Sequence, residues 1–161
     1  MRYVMKKKAF SLSDRFTIQN EAGEDVYVVA GQIFSLGKKL SFQDLAGNEL
    51  AHIEQKLLSW GPTYEIYHQG ELAAVVKKHL FTLLRYAFSI DVPGPGALEA
   101  QGDFLAMEYT FTRGGQTVAE VSKRWFSWVD TYGIDIADDQ DQVLLLASAV
   151  VIEIVSHDRK N

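Results

Sequence analysis

Cysteine is absent from these 161 residues. That excludes disulfides and thiolate metal sites, and it fits a reducing compartment. Proline is scarce, with three in all, and two of them fall in "VPGPG" at 92–96. That stretch reads as a loop which neither a helix nor a central strand would accept. Positive charge is in deficit, 16 Lys and Arg against 21 Asp and Glu for a net charge of −5, which disfavours a general nucleic-acid binder. No apolar run follows "MRYVMKKKAF", so no export signal is expected. A spanning helix needs about 20 apolar residues. The richest stretch, Val143 to Val155, is only 13 residues long and contains Ser148 and Glu153, so no transmembrane segment is expected.

Catalytic and metal signatures are missing as well. The four histidines, His52, His68, His79 and His157, have no paired ligand spacing. There is no G-x-S-x-G, Walker or dinucleotide sequence. "DIADDQD" fails the spacing of a calcium loop. Neither an enzyme nor a cofactor is expected.

What the chain does contain is alternation. In "MEYTFT", Met107, Tyr109 and Phe111 alternate with polar residues, and in "YGIDI", Tyr132, Ile134 and Ile136 do the same. "VYVVA", "LAHIEQKL", "TYEIY" and "LAAVV" are further strand candidates. "NEAGED", "LAGNEL", "HQGEL" and "TRGGQT" place glycine between such runs and read as hairpins. About eleven or twelve short strands precede one helix. In that helix Ser148 and Glu153 stand roughly 140° apart around the axis, so no polar stripe exists for a surface face. A helix apolar all round, too short for a membrane, belongs inside its own protein. The pattern therefore predicts a mainly β fold: a closed antiparallel barrel of about twelve strands enclosing a C-terminal hydrophobic α-helix, with residues 1–161 as one domain. Asp138 or Asp139 is the expected N-cap.

"FSLGKKLSFQDLAGNEL", "KLLSWGPTYEIY", "IDVPGPG", "EYTFTR", "EVSKRWFSWVDTYGIDIAD" and "AVVIEIVSHD" closely resemble the bacterial LURP-one-related family, grouped with tubby C-terminal domains and phospholipid scramblases. The resemblance runs from the first strand to His157. It implies a twelve-stranded barrel around a hydrophobic helix and no established activity. Tubby domains bind phosphoinositides through basic residues, and scramblases attach to membranes by lipid insertion or palmitoylated cysteine, which this chain lacks.

The charge is uneven: residues 1–85 hold 11 Lys and Arg against 9 Asp and Glu, whereas 86–161 hold 5 against 12. One end or face could thus be basic although the whole is acidic. Lys38, Lys39, Lys77 and Lys78 are the candidate ligand-binding residues, for anionic, phosphoinositide-like headgroups. The expected function is a non-enzymatic binding module, cytoplasmic and able to sit peripherally at an anionic membrane surface or on an unknown protein. The alternative is a soluble enzyme or small-ligand carrier with a site at a barrel mouth. Glu153 in the helix and Lys123 on an apparently inward strand face are expected to pair, with each other or with His157. Trp125 is expected to point inward, and most of the aromatic area of Trp60, Trp125, Phe126 and Trp128 to lie in the core.

Overall fold

The computed structural model describes residues 1–8, 13–32, 36–80, 86–93, 96–125 and 131–157. Its strands are β1 (Arg2–Lys7), β2 (Arg15–Gln19), β3 (Asp25–Gly31), β4 (Lys39–Asp44), β5 (Glu49–Gln55), β6 (Thr63–His68), β7 (Glu71–Leu80), β8 (Tyr86–Asp91), β9 (Leu98–Asp103), β10 (Glu108–Arg113), β11 (Gln116–Ser122) and β12 (Thr131–Ile136). A single helix, α1 (Gln142–His157), follows them. Each strand pairs antiparallel with the next, and β1 pairs with β12 from Arg2↔Asp135 to Lys6↔Thr131. The sheet closes on itself and so has no free edge.

Alternation sets the lining. Phe16 and Ile18 on β2, Leu40 and Phe42 on β4, and Phe88 and Ile90 on β8 are fully buried, while their neighbours in sequence are more exposed. Ala51, Ala74, Ala100 and Ala119 also face inward. Small lining residues leave width for the helix. Inside, every residue from Leu145 to Ile154 is buried. The Ser148 hydroxyl donates to the Leu144 carbonyl at 2.8 Å, so this polar residue needs no polar face. Gly102 (φ +144°) is obligatory: a Cβ there would lie 2.5 Å from the Glu108 carbonyl on the neighbouring strand.

Four expectations need correction. Asp141 is the N-cap, not Asp138 or Asp139: its carboxylate accepts from the Leu144 amide at 3.0 Å. Asp138 instead meets the Met1 amino group at 2.9 Å, and Asp139 accepts from Gln140 at 3.3 Å. Lys123 is not inward. A bulge opposite Phe111 and Thr112 makes Val118 an extra residue in β11, and the strand ends at Ser122. There the Glu108 carboxylate takes the Ser122 hydroxyl and the Lys123 and Arg124 amides, turning the chain away from the wall. Trp125 follows onto the outside, where it is 37% exposed, with the Arg2 guanidinium 4.6 Å above its ring. Trp60 is fully exposed rather than in the core, because β5 stops at Gln55 and releases "KLLSWGP" as a loop. Phe126 and Trp128 lie outside the described residues.

Candidate site at the basic end of the barrel

Strand direction sorts the charges. Odd-numbered strands run toward the end where α1 finishes, and even-numbered strands run back. At or near the finishing end lie Lys7, Lys8, Arg15, Lys38, Lys39, Lys56, Lys77, Lys78, Lys123 and Arg124. The acids there, among the described residues, are Asp14, Glu54, Glu65, Asp103, Glu108 and Glu153. The opposite end carries Glu21, Glu24, Asp25, Asp44, Glu49, Glu71, Asp91, Asp138, Asp139 and Asp141, with Arg2 and Arg113 as its described side-chain cations. The molecule is a dipole with a basic mouth.

The floor of that mouth is the last turn of α1. Glu153, 6% exposed, lies 3.6 Å from Lys7 Nζ and 2.7 Å from His157 Nδ1. Of the expected partners, His157 is present and Lys123 is not. Lys7 had no sequence signal, since the contact spans nearly the whole chain. The ladder continues outward: Lys7 stands 3.9 Å from Asp14, and Asp14 stands 2.9 Å from Lys38. The hydrogen bond that His157 donates to the Glu153 carboxylate raises the His157 pKa above its ordinary value, outweighing burial. The buried hydroxyls of Tyr109 and Tyr132 are pushed well above the ordinary tyrosine value, first by burial and then by the Glu153 charge. Tyr132 donates to Met5 Sδ at 2.8 Å. This cluster is a buried electrostatic clasp between wall and plug.

All four candidate lysines reach the basic end, in different states. Lys38 is engaged by Asp14, and Lys39 lies 3.5 Å from Glu54. Lys78 leans over the Tyr86 ring at 4.1 Å, and burial lowers its pKa. Lys77 is exposed. The sequence reading passed over Lys56, also exposed, which stands on the connection between the two lysine pairs. A cavity of about 280 Å³ opens beside it, bounded by Gln55, Lys56, Tyr64, Ile154 and Val155. The signal for this region was "KLLSWGP", an apolar cluster closed by a Gly-Pro turn. A second cavity, of about 340 Å³, lies on the outer wall of β5 and β6, with Glu49 and Glu54 on either side of His52. Among the described residues no group of three His, Asp or Glu is placed to hold a metal.

A family model described as LURP-one-related matches residues 1–153. The chain belongs to the LURP-one-related family. Within reach of this family, the chain is 36% identical to the uncharacterized protein YxjI of Bacillus subtilis (strain 168) over 152 residues, 94% of this chain and 91% of that one. A crystal structure of an Arabidopsis thaliana protein superposes with a TM-score of 0.66 at 14% identity, covering 94% of this chain and 89% of the other. At that identity the likeness shows a shared fold. The matched residues, 1–153, take in all twelve strands and most of the helix. Among the described residues, no helix is long and apolar enough to cross a membrane.

Proposed function

We propose that residues 1–161 act as one non-enzymatic binding unit, peripheral at a cytoplasmic membrane face, whose basic end docks on anionic phospholipid headgroups. The observation that carries this reading is charge segregation: a chain of net charge −5 gathers most of its described lysines at one barrel end. Such a field orients the molecule as it approaches an anionic surface, and each basic residue near that surface contributes about 1 kcal/mol. Lys56 and Lys77 are exposed and would meet the surface first. Lys38 and Lys39 hold carboxylates and act as secondary contacts that an incoming phosphate must compete for.

Sedimentation with vesicles tests the proposal. Binding to phosphatidylserine- or phosphoinositide-containing vesicles is expected at low salt, and is expected to fade by roughly 0.5 M salt. Substituting Lys56→Gln and Lys77→Gln together should weaken it about thirtyfold. Failure to sediment with any anionic vesicle at low salt would overturn the proposal.

A further inference from the structure

The basic mouth carries an apolar crest. Leu57, Leu58 and Trp60 are 57%, 94% and 103% exposed, and Leu36 and Leu80 at the same end are 84% and 68% exposed. They are linked in space. Leu57 Cδ2 lies where a Cβ on Gly37 would be only 2.7 Å away, which puts its side chain against the segment that carries Leu36. The Lys78 amide donates to the Pro62 carbonyl at 3.2 Å, which ties the loop base to the strand that ends in Leu80. The loop is braced from within. The Ser59 hydroxyl shares its proton between the carbonyls of Lys56 and Gly61, at 3.1 and 3.0 Å, and Thr63 adds a 3.3 Å contact to Gly61. Gly61 turns the chain with a φ of +77°. A preformed loop loses little conformational entropy when it binds.

We infer that the Leu57–Trp60 loop inserts its apolar side chains into the lipid bilayer while the lysines behind it hold the headgroups. This rests on the headgroup-docking proposal and adds a depth to it. The juxtaposition selects the bilayer as occupant. Fully exposed Trp and Leu side chains in one short loop suit the boundary between headgroup and acyl chain, where an indole is stable. Lys56, next to Leu57 in sequence, and Lys77 and Lys78, beside the loop base, complement a negative headgroup layer. Neither half suffices alone, because a few inserted side chains bind marginally and charge alone leaves with salt.

Wild-type protein is mixed with phosphatidylcholine/phosphatidylserine vesicles, with and without phosphatidylcholine brominated on its acyl chain, and tryptophan emission is read alongside sedimentation. Expected are a blue shift and quenching by the brominated lipid. Trp60→Phe, a change at a fully exposed side chain, should remove most of the quenching and keep sedimentation. Leu57→Ser with Leu58→Ser should weaken vesicle affinity by about tenfold or more. Vesicle binding with unquenched wild-type emission, or equal quenching in Trp60→Phe, would overturn insertion and leave headgroup docking intact. Absence of binding to these vesicles and to phosphoinositide-containing ones at low salt would overturn both, and would leave the crest to a protein partner.

Discussion

The two ends of the barrel are closed by different chemistry. Where the helix begins, the chain is finished in a conventional way: short Gly-containing hairpins, many solvated carboxylates and an Asp141 cap facing the positive end of the helix dipole. Where it finishes, a buried glutamate is held by a lysine and a histidine, the rim is basic, and leucines and a tryptophan stand in water. The first end is what folding alone requires. The second keeps a feature that folding does not require, since an exposed apolar crest opposes solubility, and it sets that crest among basic side chains. That difference directs the functional reading to one end.

The largest expected effect tests whether the clasp belongs to the structure of the basic end. Lys7→Met combined with His157→Ala leaves Glu153 buried without a cation, and should destabilise the protein by about 3–5 kcal/mol in urea unfolding. Adding Glu153→Leu should recover most of that loss, because replacing a buried ionic group by an apolar one of similar size is often neutral. If the triple variant is no more stable than the double, the clasp is not what holds plug to wall.

The next effect sets one end directly against the other. Asp138→Asn with Asp139→Asn changes net charge by the same two units as Lys56→Gln with Lys77→Gln, but at the far rim and in the opposite sense. A helix of 16 residues spans about 24 Å, several Debye lengths at physiological salt. The acidic-end pair should therefore alter vesicle affinity less than about twofold, against about thirtyfold for the lysine pair. Effects of equal size would mean that net charge matters and its placement does not.

A third and smaller effect concerns the acidic end alone. Asp141→Ala should cost about 1 kcal/mol, or roughly 2–4 °C in Tm, through the lost cap. Asp138→Ala and Asp139→Ala should each stay within about 0.5 kcal/mol. The sequence pointed to Asp138 or Asp139 rather than Asp141, since any Asp before an apolar helix can act as its cap. Only the position of the first helical turn distinguishes them. The same limit explains the other corrections. Period-two alternation showed the barrel, and the missing polar stripe showed the plug, because both are local patterns that recur along the chain. Lys123 was misplaced because one bulge at Val118 and an early strand end broke the alternation without leaving a mark in residue type. Lys7 was missed because its partner lies at the other end of the chain. Trp60 was assigned to the core because apolarity alone does not separate a lining residue from a crest.

The smallest effect has opposite signs at the two ends. At the basic end, Glu153 raises the His157 pKa above its unfolded value near 6.5. A raised histidine contributes stability that is fully present below pH 6.5 and is lost as pH climbs through the folded value. At the acidic end, hydrogen bonds from the Asn48 side chain and amide hold Asp44 below its unfolded value near 3.8. A lowered carboxyl contributes stability present above pH 3.8 and lost as pH falls through the folded value. The stability difference between wild type and His157→Asn should therefore shrink from mildly acidic to mildly alkaline buffer. The difference between wild type and Asp44→Asn should shrink only in strong acid. Both are modest, because His157 is about a third exposed and Asp44 is open to water, which screens each interaction. Urea titrations of the three proteins across pH, read as differences so that other groups cancel, measure both. A His157→Asn difference that does not change with pH would mean that Glu153 draws its compensation from Lys7 alone, and would reduce the clasp at the basic end to a single ion pair.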